Sequence, residues 1–220
     1  MSERTAGDVM DDVPALADTT GMKEPPATAR GMRMRATLVA AARTVFERDG
    51  FLTSRLTDIT AEANCSTGTF YTYFASKEEA FTAVLEAAQD DMLHPGMPRL
   101  ADSDDVVAVI EASNRAYLVA YKRNAKLMAL MHQVAAIDPK FKELRVRRSQ
   151  LFAERNARHI RDLQQRGLVD ASLDPLLTAR TLSGMVSRAA EDSFVNEDRD
   201  VEEVVAVVTT LWVNGLKLAA

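Results

Sequence analysis

Apolar positions recur along most of this chain with the spacing of one helix face, and turn-forming residues interrupt them at intervals. Between Met32 and Asp49, the residues Leu38, Ala41, Ala42, Val45 and Phe46 fall three to four apart, which predicts an amphipathic helix closed by Gly50. Ser54 can cap a second helix with the buried stripe Leu56, Ile59 and Ala63, and Ser66 a short third one through Phe74. Ser76 opens a fourth, carrying Glu78 and Glu79 in its first turn, where the macrodipole favours acids; it runs to about Leu93 and stops at "HPGMPR". The same grammar continues. A helix from about Asp104 to Lys122 turns Val106, Val109, Ile110, Tyr117 and Tyr121 inward, and another spans about Ala125 to Ala136. Asp138-Pro139 and Asp174-Pro175 each place a capping acid before a proline at the first helical position. The helices they open run to Arg166, before Gly167, and to about Phe194; a last one runs from about Val201 to Leu218. Neither a hairpin dipeptide nor sustained alternation is present, so an all-α protein of nine helices is expected.

The break between the second and third helices is the most informative feature. A helix-turn-helix needs two helices at a steep angle joined by a three- to four-residue turn. Asn64 suits the left-handed backbone such a turn requires, Cys65 puts a small hydrophobe beneath it, and Ser66 restarts the helix. On the restarted helix, Phe70 and Phe74 are four apart and pack inward with Leu56 and Ile59. Thr67, Gly68, Thr69, Tyr71, Thr72 and Tyr73 are left facing out. Their hydroxyls suit base edges and phosphate oxygens, and a glycine permits close backbone approach. That helix carries no charge, so phosphate attraction falls to its frame, with Arg33, Arg35, Ser54, Arg55 and Lys77 as candidates.

Charge changes the picture only locally. The whole chain carries −5, but residues 1–29 hold two bases against six acids, a net −4, whereas residues 30–80 hold seven bases against six acids, a net +1. Phosphate attraction is screened within about 10 Å, so overall acidity does not exclude DNA. Residues 1–29 read as a disordered tail without a secretory apolar stretch, and no apolar run approaches the roughly 20 residues of a membrane span. A single cysteine excludes internal disulfides and suggests a reducing cytosol; a cytoplasmic protein without membrane contact is expected. Three scattered histidines and one cysteine make no metal cluster, and no nucleophile-elbow, P-loop or dinucleotide fingerprint occurs. Neither a metal, a cofactor nor an enzymatic activity is therefore expected.

The order Gly50-Phe51, Leu56–Ala63, Ser66–Tyr71, Tyr73-Phe74 and Ser76–Glu78 resembles the N-terminal signature of TetR/AcrR-type transcriptional regulators. The resemblance implies residues 30–76 as a DNA-binding domain of three helices and 77–220 as a six-helix effector-binding and dimerisation domain. It also implies that Thr67 to Tyr73 enters the major groove of double-stranded DNA and that Lys77 touches phosphate. Two departures stand out. Asn64-Cys65 replaces the usual Gly-Val of the turn, and Thr67 and Thr72 stand where the family often has basic side chains.

The remaining helices suggest two further uses. The last is apolar nearly all round, and the resemblance implies that it and the helix before it pair with the same two helices of a second chain in a homodimer. Leu176, Leu177, Gly184, Val204, Val208, Leu211 and Trp212 are the candidates, with packing inside one chain as the rival use of that stripe. For a small, largely apolar effector, Met92, Met128, Met131, Phe152 and Met185 offer adaptable surface. Asn114, Tyr117, Tyr121, Asn156 and His159 supply polar groups set among them. "RVRR" (Arg145–Arg148) reads as a wet helix face, and Cys65 as a buried structural thiol. The resemblance implies a repressor on a palindromic operator, released by its effector. An all-helical ligand-binding or scaffolding protein without specific DNA recognition is the alternative.

Overall fold

The computed structural model describes residues 15–93 and 105–218, the side chains of 90–93 excepted. Among these it forms nine α-helices and no strand: α1 (Ala29–Asp49), α2 (Leu56–Glu62), α3 (Thr67–Tyr73), α4 (Lys77–Leu93), α5 (Val106–Arg123), α6 (Ala125–Ile137), α7 (Pro139–Gln165), α8 (Pro175–Glu191) and α9 (Val201–Leu216). The expected helix count and all-α class hold. One addition is a π-helical turn, Asp192–Asn196, which continues α8. Contacts divide the described residues into two compact units, one made of residues 15–90 and 126–144, the other of 91–93, 105–125 and 145–218.

The first unit is centred on aromatic rings that α1, α4 and α7 point inward. Phe46 lies 5.4 Å from Phe51 and edge-on to Phe81 at 5.5 Å; Phe81 in turn meets Phe141 at 5.5 Å. Leu38, Ala42, Val45, Phe46, Ile59, Phe70, Phe74, Phe81 and Leu85 are all fully buried, as their helical spacing requires. α1 starts three residues before the expected Met32, because the Thr28 hydroxyl accepts from Gly31 N at 3.1 Å and caps it. A Cβ at Gly31 would stand 2.7 Å from Pro26 Cβ, so only glycine lets the preceding segment lie this close to the helix.

That segment differs from expectation. Residues 15–28 fall in the stretch read as a disordered tail, yet Leu16 and Ala17 are buried and Leu16 N donates to Gln89 Oε1 at 3.0 Å. Lys23 N donates to the Glu79 carboxylate, and Lys23 Nζ to the Tyr71 carbonyl. A single apolar pair has no period, so hydrophobic patterning could not reveal this docking. Residues 1–14 lie outside the described residues.

The second unit packs α5 and α8 against α9, whose inner face is Val204, Val205, Val208, Thr209, Trp212 and Leu216. Polar pins fix the register. Asn114 Nδ2 on α5 donates to Thr209 Oγ1 on α9 at 3.1 Å, and Asn156 Nδ2 on α7 donates to Ser183 Oγ on α8 at 3.0 Å. Gln164 Nε2 donates to the carbonyls of Asp170 and Leu173, closing the α7–α8 turn, where Gly167 adopts φ +73°. No described helix is long and apolar enough to cross a membrane.

Candidate functional site

The corner between α2 and α3 is a complete helix-terminating motif followed at once by a helix-starting one. Cys65 N donates to Thr60 O at 2.9 Å and Asn64 N to Ala61 O at 3.0 Å, the pair of bonds that satisfies the last carbonyls of a helix. Such a closure needs a left-handed residue, and Asn64 sits at φ +50°. Ser66 then caps α3, its hydroxyl accepting from Thr69 N at 3.1 Å. Asn64 is exposed, so its requirement is one of backbone rather than contact. Asn64→Gly should therefore leave stability within about 1 kcal/mol, whereas Asn64→Val should cost about 1–2 kcal/mol or more, because a β-branched side chain clashes in this region. Urea unfolding of both variants checks it; equal midpoints would remove the special status of this residue.

The corner presents α3 by its hydroxyl face. Phe70 and Phe74 are buried and 5.5 Å apart, anchoring the helix from below. Thr67, Gly68, Tyr71 and Thr72 are exposed, while Thr69 and Tyr73 are half-buried. The Thr72 hydroxyl donates to Gly68 O at 3.1 Å and that of Thr69 lies 3.0 Å from Ser66 Oγ, so both hydroxyls are held by partners within the helix and its cap. Gly68 has no strained backbone angle, and the nearest atom to a Cβ built there is Ser66 Oγ at 3.6 Å. The fold itself does not demand a glycine at this exposed position.

The cationic frame is rearranged relative to expectation. Arg33 and Arg55 are exposed, Arg55 also serving as the residue before α2, where its N–H donates to the Asp58 carboxylate at 2.9 Å. Arg30, at the start of α1 and outside its apolar period, is exposed on the first turn of that helix. Three nominated side chains point elsewhere. Lys77 Nζ donates to Phe51 O at 2.6 Å and Ser54 O at 3.0 Å and lies 4.6 Å from the centre of the Phe51 ring, clamping the α1–α2 link. Arg35 stacks over Phe74 at 5.4 Å and pairs with Glu86 of α4 at 3.5 Å. Ser54 is buried and donates to Phe51 O at 2.9 Å, so it neither caps α2 nor faces solvent. In exchange, Lys23 brings an ammonium to the backbone of α3 at Tyr71, a placement that its isolated position in an acidic segment does not signal. Cys65 is half-buried, and burial pushes its thiol up, the reverse of an activated thiolate.

The nominated ligand residues separate. Met128 and Met131 are buried in the first unit; Asn114, Tyr117, Tyr121, Phe152, Asn156, His159 and Met185 belong to the second. Met92 lies outside the residues whose side chains are described. Asn114 and Asn156 spend their amides on the interhelical bonds above, and His159 is exposed. Tyr117 and Tyr121 come together at 5.9 Å, and Arg148 joins Phe152 at 5.5 Å. Arg145, Val146 and Arg147 form the wet face expected of "RVRR", but Arg148 turns inward. Helical phase alone could have marked it, since Arg148 lies one turn before Phe152.

Of the nominated interchain residues, Val204, Val208 and Trp212 point into the core of this chain. Leu176 is half-buried, and Leu177, Gly184 and Leu211 are exposed. Val207, one turn before Leu211, is exposed on the same face of α9. Among the described residues, no group of three or more acids, histidines or cysteines is placed to hold a metal ion.

Residues 38–84 match the family profile of bacterial regulatory proteins, tetR family. Over 80 residues the chain is 34% identical to the HTH-type transcriptional regulator YfiR of Bacillus subtilis, a match covering 36% of this chain and 38% of that relative. The chain thus spans well under half the length of this curated relative. Likeness in fold extends much further. Salmonella enterica GusR superposes with a TM-score of 0.65 at 21% identity, covering 87% of this chain and 98% of its own. A TetR-like transcriptional regulator from Rhodococcus sp. RHA1 gives a TM-score of 0.65 at 21% identity, covering 89% and 99%.

Proposed function

We propose that this chain, whose residues 38–84 match the tetR family of bacterial regulatory proteins, is a ligand-responsive repressor acting on a palindromic operator as a homodimer. The observation that carries this reading is the outward face of α3. Thr67, Gly68, Tyr71 and Thr72 are exposed together on a helix that two buried phenylalanines hold rigidly. The hydroxyls are suited to base edges and phosphates, the Tyr71 and threonine carbons to thymine methyls. Arg30, Arg33 and Arg55 supply exposed charge for the phosphate backbone. The DNA-reading part is assigned to residues 30–76, and effector binding and dimerisation to 77–220, in a cytoplasmic protein.

Leu177 and Gly184 on α8, with Val207 and Leu211 on α9, offer the exposed apolar and small surface through which two copies would pair. A two-fold dimer sets two α3 helices about one DNA turn apart, which matches a palindrome. An apolar effector that favours a different spacing of the pair would release the DNA by shifting the population.

The deciding experiment is selection of bound duplexes from a random pool, followed by mobility-shift titration of the winner and of the chain's own upstream DNA at several salt concentrations. A palindromic sequence bound specifically, with affinity falling as salt rises, is expected. Absence of any specific complex at low salt would refute the regulator reading.

A further inference from the structure

The second unit carries a half-buried arginine that turns one nitrogen inward without a hydrogen-bonded anion among the described residues. Arg148 of α7 lies over Phe152, and its Nη1 is buried with no hydrogen-bond partner among the described residues. The guanidinium lies close enough to Tyr117 of α5 for each to act on the other's charge, and Ser187 of α8 lies beside the Tyr117 hydroxyl. One turn along α5, Tyr121 packs against Tyr117 and, at 6.5 Å, against Phe194 of the π-helical turn. It is 2% exposed, and its hydroxyl is likewise buried without a partner among the described residues.

The other charged groups facing the tyrosines come from the end of α8. Glu191 is near both rings, and Arg188 and Asp192 are near Tyr121; Arg188 pairs with Glu191 at 3.5 Å and with Asp192 at 2.8 Å. Burial holds both phenols above their ordinary range and lowers the guanidinium to about 10, so all three remain proton donors at neutral pH. Buried donors almost always find acceptors, and a buried cation is retained where an anion accompanies it. A carboxylate answers both needs, accepting from a guanidinium and from phenols with its several lone pairs.

We propose that Arg148, supported by Tyr117 and Tyr121, anchors the carboxylate of an otherwise apolar effector, with Phe152 and Phe194 flanking it. This deepens the assignment of effector binding to residues 77–220 and rests on it. The anchor reads a charge class, which packing of methionines and aromatics alone does not do.

Calorimetric titration of the full chain with octanoate, octanol and octylamine tests the proposal without DNA. Octanoate is expected to bind about tenfold or more tightly than octanol, the usual worth of a charge-assisted bond. Arg148→Gln should erase that preference. Tyr121→Phe removes an unsatisfied hydroxyl, so it should keep the thermal midpoint while weakening octanoate about threefold or more. Equal binding of octanoate and octanol, a preference surviving both substitutions, no heat from any probe, or tightest binding of octylamine (which would make Glu191 the anchor) would each overturn it. Operator release by octanoate is measured separately. Binding through Arg148 with unchanged DNA affinity upholds the anchor and removes the ligand response from the functional reading.

Discussion

Lys77→Met is expected to lower the unfolding free energy by about 2–3 kcal/mol while leaving the salt dependence of DNA binding unchanged. The ammonium of Lys77 donates to two carbonyls, those of Phe51 and Ser54, and lies over the Phe51 ring. Those carbonyls belong to the link between α1 and α2, and Ser54 is buried. Methionine keeps the apolar stem and packs on the ring, but it leaves both carbonyls without this donor. Hydrogen bonds from a charged group are each worth about 1.5–3 kcal/mol, and losing both here is only partly compensated by water. A phosphate-contacting lysine would behave differently: its removal would reduce the salt slope by about one and leave stability within about 0.5 kcal/mol. Arg55→Gln is the control for that second behaviour, because Arg55 is exposed. Urea unfolding and binding titrations at several salt concentrations separate the two roles. A shallower slope in Lys77→Met with unchanged unfolding would return this residue to the DNA contact.

Gly68→Ala should act on stability and on binding in opposite directions. Glycine inside a helix costs about 0.5–1 kcal/mol relative to alanine, and an alanine Cβ at 68 meets nothing closer than Ser66 Oγ at 3.6 Å. The variant should therefore melt at a higher temperature. With α3 in the groove as proposed, the same methyl group would occupy space that a bare backbone leaves for the DNA. Overpacking of a close contact costs about 1–3 kcal/mol, so operator affinity should fall about tenfold to a hundredfold. Thermal melts and mobility-shift titrations of one preparation give both numbers. A rise in stability with unchanged affinity would place the DNA away from the first turn of α3, and a fall in stability would show that the fold needs this glycine after all.

Both predictions turn on details of very different legibility in the sequence. Helix boundaries were legible because caps are local: Ser66, Asp174 and the glycines at 50 and 167 act within a turn of themselves. Asn64 was legible for the same reason, since few residue types tolerate its backbone angle. Side-chain tips were not. Periodicity places the stem of Lys77 or Arg35 on a face, but a long flexible cation then selects among carbonyls, rings and acids brought by other helices. Lys77 found Phe51 and Ser54, more than twenty residues away, and Arg35 found Glu86. The resemblance to a family carries a role for Lys77 but not the surroundings that hold its ammonium here. Arg148 follows three solvated neighbours, and only its helical phase sets it apart from them, while valine and leucine occupy both the buried and the exposed face of α9.

The first compact unit also bears on how this protein could be rebuilt. Residues 15–90 and 126–144 belong together, Phe141 stacking on Phe81 although sixty residues separate them, and Leu16 is seated before the first helix begins. An engineer wishing to graft a new DNA specificity onto this chain, or to move its specificity elsewhere, therefore has no single cut to make. A fusion at the end of α3 would leave behind the docked segment's partners on α4, Glu79 and Gln89, and one that begins at α1 would discard Leu16 and Lys23. Transplanting the exposed face of α3 residue by residue, with the corner and its buried phenylalanines untouched, preserves what the rest of that unit is built around.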